Sequence, residues 1–137
     1  KRWSFIGRSY NFDSAAGLNY VVDVTKPAGE RIQIASLADG TPFSMDAEYN
    51  VAMTSYRASG GGNIMREGAG VDTDRIDERV VAYHPEIRDI LYDYLVETKE
   101  IDPATVGDRT VIGEWSFVPE DLAAKALEQD MKLVFSK

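Results

Sequence analysis

The chain has 137 residues, 44% of them hydrophobic, no cysteine and a formal charge of −8 with a pI near 4.6. That length predicts a single domain, 1–137, with enough apolar residues for a core. The acidic balance opposes a long nucleic acid polymer, which needs a basic footprint, and the missing thiols exclude disulfides, thiolate catalysis and cysteine-based metal sites. No apolar run approaches the ~20 residues of a membrane span.

Residues 1–17 hold Trp3, Phe5, Tyr10 and Phe12 ahead of a small-residue turn. The run LNYVVDVT at 18–25 is β-branched and aromatic and predicts a strand, with Tyr20, Val22 and Val24 on one face. Pro27 and Gly29 mark a turn, after which residues 31–37 point Ile32 and Ile34 inward against Arg31 and Gln33. Together the two runs predict an antiparallel hairpin. A second turn follows at Asp39, Gly40 and Pro42, and residues 48–56 predict a third strand that runs out into Gly60, Gly61 and Gly62. Residues 60–78 carry five of the eleven glycines and many charges, the longest irregular stretch.

Pro85 predicts the start of a helix whose Ile87, Ile90, Leu91 and Leu95 form one apolar stripe. Glu86 and Asp89 in its first turn and Lys99 near its end suit the helix dipole. Asp102-Pro103 breaks it. Residues 111–118, VIGEWSFV, predict a fourth strand, and Pro119 starts a last helix with Leu122, Ala126 and Leu127 on its buried face. The expected class is α+β: a small mixed or largely antiparallel sheet of about four strands with two main helices packed on it.

Few residues suggest chemistry. The lone histidine, His84, precedes Pro85 and reads as structural; one histidine builds no histidine-rich metal centre. The acids Asp72, Asp74, Asp77 and Glu78 are interleaved with Arg75 and Arg79 and read as a solvated, charge-mixed loop rather than a cation site. There is no G-x-S-x-G elbow and no phosphate-binding glycine loop. The most suggestive stretch is 49–63, YNVAMTSYRASGGGN. Bare glycine backbone allows close approach of another molecule, and Tyr56 beside it offers an aromatic face for a flat, partly polar ligand such as a nucleobase. The bland alternative is a core tyrosine before a flexible turn. Asn63 reads equally as a ligand contact or a left-handed turn residue, and Arg57 as a solvated arginine or a phosphate contact. Tyr10 and Phe12 read as packing residues before pocket residues, Trp115 as core, and Phe43 as structural.

The ordered series Gly17 to Asp23, Lys26 to Arg31, Pro42-Phe43 and Tyr56 to Gly61 resembles the C-terminal substrate-binding domain of the 5′-nucleotidase family. That family includes UDP-sugar hydrolases and 2′,3′-cyclic-nucleotide 2′-phosphodiesterase/3′-nucleotidases. The series spans residues 10–65, and SYNFD and SYRASGGG look most like the cyclic-phosphodiesterase branch. The resemblance implies a nucleobase clamp of two rings. Tyr56 matches one; the other would belong to a segment upstream of Lys1, with the family's substrate-holding arginines and asparagine. Gly60, Gly61, Gly62 and Asn63 complete the implied substrate-binding set, with no catalytic or metal residue among them. Where 5′-nucleotidases proper carry a ribose-binding Asp after the glycine pair, this chain has Gly62.

The same resemblance implies an N-terminal metallophosphoesterase domain as partner, holding two divalent metal ions, with no cofactor in this chain and none of the hydrolysis. With the metal chemistry placed by the resemblance in that other domain, this chain alone is expected to be inactive; its opening at Lys1-Arg2-Trp3 without a methionine suggests a mature or excised piece. The implied location is periplasmic or secreted, and the implied ligand a nucleotide or nucleoside. An exposed apolar surface near Tyr56 is expected where a missing half once lay. The competing expectation is a noncatalytic module that binds another ligand or a protein.

Overall fold

The computed structural model describes residues 11–102 and 113–135. They fall into two units: one from residues up to Met45 together with those from Val111 onward, the other from Asp46 to Thr110.

The first unit is built on three strands: β1 (Leu18–Asp23), β2 (Ile32–Leu37) and β3 (Trp115–Val118), in spatial order β2-β1-β3. β1 and β2 form the expected antiparallel hairpin, with Tyr20 opposite Ile34 and Val22 opposite Ile32. The turn between them bonds Glu30 N–H to the Pro27 carbonyl, and the Arg31 guanidinium closes onto the Lys26 carbonyl at 2.8 Å. A register shift between Asn19 and Tyr20 marks a bulge. β3 joins the other edge of β1 in parallel, pairing Tyr20 with Trp115 and Val22 with Phe117. The sheet is therefore mixed.

Paired positions in neighbouring strands project to the same face. Tyr20, Val22, Trp115 and Phe117 accordingly form one aromatic surface. Tyr20 stacks on Trp115 at 5.8 Å and 7°, and Phe117 meets Trp115 edge-on at 5.4 Å. Phe12 adds a tilted contact to Trp115 at 6.1 Å but is 65% exposed, outside the core position expected for it. Tyr20, 8% exposed, is the one buried hydrophobic residue among those described, and its hydroxyl accepts the Ala15 N–H. Ile32, expected to face inward, is instead 57% exposed, although its partner Val22 is flanked by Phe117 of β3. Asn19 ties the three strands at their other end. Its amide nitrogen donates to the Ser36 hydroxyl and the Leu37 carbonyl, and its oxygen accepts Glu114 N–H, each at 2.9 Å. Gly113 lies so close to Leu18 that a Cβ there would fall 2.0 Å from the Leu18 carbonyl oxygen.

A helix of sixteen residues, Glu120–Phe135, follows β3 directly, with Glu120 and Asp121 in its first turn as the sequence suggested. Asp121–Lys125 and Glu128–Lys132 pair along its surface at i,i+4 spacing. Leu122, Ala126 and Leu127, expected to be its buried face, are all exposed.

The second unit is helical. It holds α1 (Ser55–Ala58), three short helical turns at Gly61–Asn63, Ile64–Gly68 and Thr73–Arg79, and α2 (Ile87–Thr98). The closing helix Glu120–Phe135 is thus α3. The class is α+β as expected, but with three strands among the described residues where about four were expected. Residues 48–54, expected as a strand, have no ladder partner among the described residues, and 55–58 wind into α1. Alternating apolar residues make a strand only where another strand offers hydrogen bonds. α2 forms where a helix was expected, starting at Ile87, two residues after Pro85. It ends at Thr98 through Lys99 in the left-handed conformation (φ 59°), ahead of the expected Asp102-Pro103 break. Its stripe, Ile87, Ile90, Leu91 and Leu95, is exposed throughout. No described helix is long and apolar enough to cross a membrane.

Candidate functional site

Thr54 starts the site. Its backbone is extended, and its hydroxyl accepts the Arg57 N–H at 3.4 Å, capping the single turn of α1. Ser59 closes that turn, its hydroxyl donating to the Tyr56 carbonyl. Tyr56 is therefore the second residue of a helical turn rather than the end of a strand.

The chain then reverses through the glycines. Gly60 (φ 98°), Gly62 (φ 75°) and Asn63 (φ 59°) are left-handed, which two glycines and an asparagine accept at the least steric cost. Asn63 N–H bonds to the Gly60 carbonyl at 2.9 Å and closes the loop. Its side-chain nitrogen donates to Glu67 Oε1 at 3.1 Å, so the turn role of Asn63 has a visible partner.

This reversal returns Gly61 beneath Tyr56. A Cβ on Gly61 would lie 2.5 Å from Tyr56 Cζ, 2.6 Å from Cε1 and 2.5 Å from the Tyr56 carbonyl oxygen. The ring thus rests on glycine backbone that no other residue provides. Arg57 adds a second hold: its Nη1 donates to the Gly61 carbonyl at 3.1 Å, and its guanidinium carbon stands 5.4 Å from the Tyr56 ring centroid. Tyr56 nevertheless remains 57% exposed. The arrangement is an aromatic plate, fixed at one edge by glycine and arginine and largely open to solvent, with positive charge beside it. Tyr49, Val51 and Met53, earlier in the same segment, are also exposed.

Tyr56, Gly60, Gly61, Gly62 and Asn63 thus share one loop, with Tyr56 and Gly61 in contact. The reading of residue types missed the support behind that loop. Thr73 is 6% exposed, and its hydroxyl oxygen would lie 3.2 Å from a Cβ on Gly60. Arg66 Nε donates to that hydroxyl at 2.5 Å, and Arg66 Nη2 pairs with Asp74 at 2.6 Å. No motif announces a threonine in a charged loop; the one available sign was Thr54 ahead of Ser55, which fits a helix cap better than a strand.

Apart from Asp74, the acids of the run are engaged elsewhere. Asp72 caps the Thr73–Arg79 turn by accepting Asp74 N–H, Glu78 pairs with Arg75, and Asp77 accepts the Tyr83 hydroxyl at 2.8 Å. That bond holds the Tyr83 phenol above its ordinary pKa. His84 lies in the exposed segment before α2. Among the described residues, no group of three or more His, Asp or Glu side chains is placed to hold a metal ion. These residues do not fit a metal centre.

Residues 3–67 match the model of the 5′-nucleotidase C-terminal domain. The chain is 35% identical over 123 residues to the trifunctional nucleotide phosphoesterase protein YfkN of Bacillus subtilis (strain 168), covering 82% of this chain and 8% of that protein. It is 33% identical over 124 residues to a 2′,3′-cyclic-nucleotide 2′-phosphodiesterase/3′-nucleotidase of Haemophilus influenzae, covering 82% of this chain and 17% of the relative. A protein of the same name from Salmonella typhimurium is 38% identical over 66 residues, covering 39% of this chain and 10% of the relative. The chain spans less than a fifth of the length of each of these relatives. No solved structure matches it significantly. Residues 3–67, which include Tyr56 and the three glycines, belong to the 5′-nucleotidase C-terminal domain family.

Proposed function

We propose that this chain supplies nucleobase recognition to a nucleotide phosphoesterase, of 5′-nucleotidase or 2′,3′-cyclic-nucleotide phosphodiesterase type. One observation carries the reading: an exposed tyrosine ring seated on Gly61, inside the segment that matches the family. A ring held at one edge and open to solvent suits stacking of a base, worth about 1–3 kcal/mol and tolerant of base identity. Arg57 beside the ring favours an anionic ligand. A single stacking surface gives weak binding, in the millimolar range at best, so a second ring completes the clamp.

The hydrolysis belongs to another part of the protein. Two divalent metal ions in a metallophosphoesterase domain would activate water and polarise the phosphate there. The role of this chain is to hold the base end of the substrate. A periplasmic or secreted setting accords with the resemblance.

The test is nucleotide titration of the full-length protein. Tyr56→Ala is expected to weaken nucleotide binding at least fivefold, the low end of a stacking contribution. Unchanged affinity removes Tyr56 from the site. A second reading, a noncatalytic module binding a protein, is favoured by the exposed stripe of α2. Sedimentation showing a strict monomer without partners would count against it.

A further inference from the structure

Thr73 is the one buried polar residue among those described, and base recognition as set out above gives it no task. Its surroundings form a contiguous series. Asp74 fixes the Arg66 guanidinium; Arg66 Nε donates to the Thr73 hydroxyl; that hydroxyl abuts Gly60; and Gly60 opens the reversal that carries Gly61 under the Tyr56 ring. Gly60 packs against this bonded pair, since a Cβ there would meet Thr73 Oγ1 at 3.2 Å and Arg66 Nε at 3.7 Å. The glycines have more backbone freedom than any other residues, so the loop's own sequence does not fix its path. A rigid backing does.

We propose that Thr73, oriented by Arg66, is a positioning residue for the Tyr56 plate. The proposal rests on the reading of Tyr56 as a base-stacking ring. Thr73 does not touch the ligand; it holds Gly60, and through it Gly61, where the ring can rest. A hydroxyl is required rather than a methyl, because Arg66 needs an acceptor and an unpaired guanidinium N–H beside a buried site is costly.

The experiment is titration of the full-length protein with 2′,3′-cyclic AMP and, separately, with ribose 5-phosphate, which has no base. Thr73→Val keeps the shape and removes the acceptor. It is expected to weaken 2′,3′-cyclic AMP binding about tenfold and to leave ribose 5-phosphate binding unchanged. Thr73→Ser, which restores the hydroxyl, is expected to recover most of the loss. In a Tyr56→Ala background, Thr73→Val is expected to add nothing. Arg66→Lys, which keeps the charge facing Asp74 and loses the Nε donor, gives an independent route to the same base-selective loss if Thr73→Val does not fold. Tyr56→Ala without effect overturns the base-stacking reading and this proposal with it. A Tyr56→Ala loss alongside wild-type affinity in both Thr73→Val and Arg66→Lys overturns the positioning role alone. Equal weakening of both ligands also overturns it, since that is what general loosening of the fold would produce.

Discussion

Tyr56 and Gly61 are in contact through the plane a side chain would occupy: the ring's Cζ and the Tyr56 carbonyl oxygen each lie 2.5 Å from where a Gly61 Cβ would stand. Gly61→Ala therefore forces either the ring or the loop to move. The expected result is a destabilisation of about 1–3 kcal/mol, the range for overpacking, with the Tyr56 ring displaced. Nucleotide affinity should fall with it, about as far as in Tyr56→Ala. Ring resonances of Tyr56 unchanged between wild type and Gly61→Ala would show that the contact does not set the ring's position.

Asn19 is bonded to all three strand segments, with two donors used on β2 and its oxygen used on Glu114 N–H. Asn19→Asp has almost the same shape but turns both donors into acceptors facing the Ser36 and Leu37 oxygens. A loss of about 1–3 kcal/mol is expected in urea unfolding at neutral pH, the cost of leaving partly buried groups unmatched. The loss should shrink in acid, where the protonated carboxyl regains one donor.

Trp115 touches Tyr20, Phe117 and Phe12 at once. Because it is 37% exposed, Trp115→Ala should cost less than a fully buried tryptophan, about 2–3 kcal/mol by chemical denaturation. Trp115→Phe should recover part of that by keeping the stack on Tyr20. A loss below about 0.5 kcal/mol in the alanine variant would mean that the aromatic surface contributes little to holding β3.

The Asp23 carboxylate accepts the Thr25 hydroxyl at 2.6 Å and the Thr25 N–H at 2.9 Å, and these bonds hold its pKa below the ordinary carboxylate value. A depressed carboxylate pKa stabilises the fold above the unfolded-state pKa, and that contribution disappears as the pH falls through the folded-state value. Thr25→Val removes the hydroxyl, the larger cause. Carboxyl-carbon NMR titration should show Asp23 moving up toward its ordinary value. The stability difference between wild type and variant should close once the pH drops below both values.

Tyr83 shows the opposite sign. Its phenol donates to Asp77, and the bond to a carboxylate raises its pKa. Such a bond stabilises the fold below the ordinary phenol pKa and is lost as the pH rises through the raised value. Asp77→Asn removes the negative charge, so ultraviolet titration of the phenol should shift downward. No shift would mean that the bond does not form in solution.

The hairpin was legible because its information is local: the alternation of 18–25 and 31–37 and the Pro27–Gly29 turn specify both strands and their pairing. α2 was legible for the same reason, through its 3.6-residue stripe. Residues 48–56 were misread because a strand is a property of a pair, and no sequence pattern states whether a partner is in reach. The glycine loop could be seen as a place of close approach, but not what approached. What lies on Gly61 is Tyr56 itself, five residues back, with Arg57 over the ring. Thr73 carried no signal, since its importance comes from burial against Gly60 and from Arg66, seven residues earlier in the chain.

β1 is the central strand, and its two neighbours reach it on different timescales. β2 is complete at Leu37, whereas β3 ends only at Val118. On the ribosome, at roughly 5–20 residues per second, the second edge of β1 waits about 4–16 seconds for its partner. Through that interval Tyr20 and Val22 lie along an unpaired edge, open to any strand that arrives first. The hazard in making this protein thus lies in the nascent chain, and it ends when Trp115 closes over Tyr20.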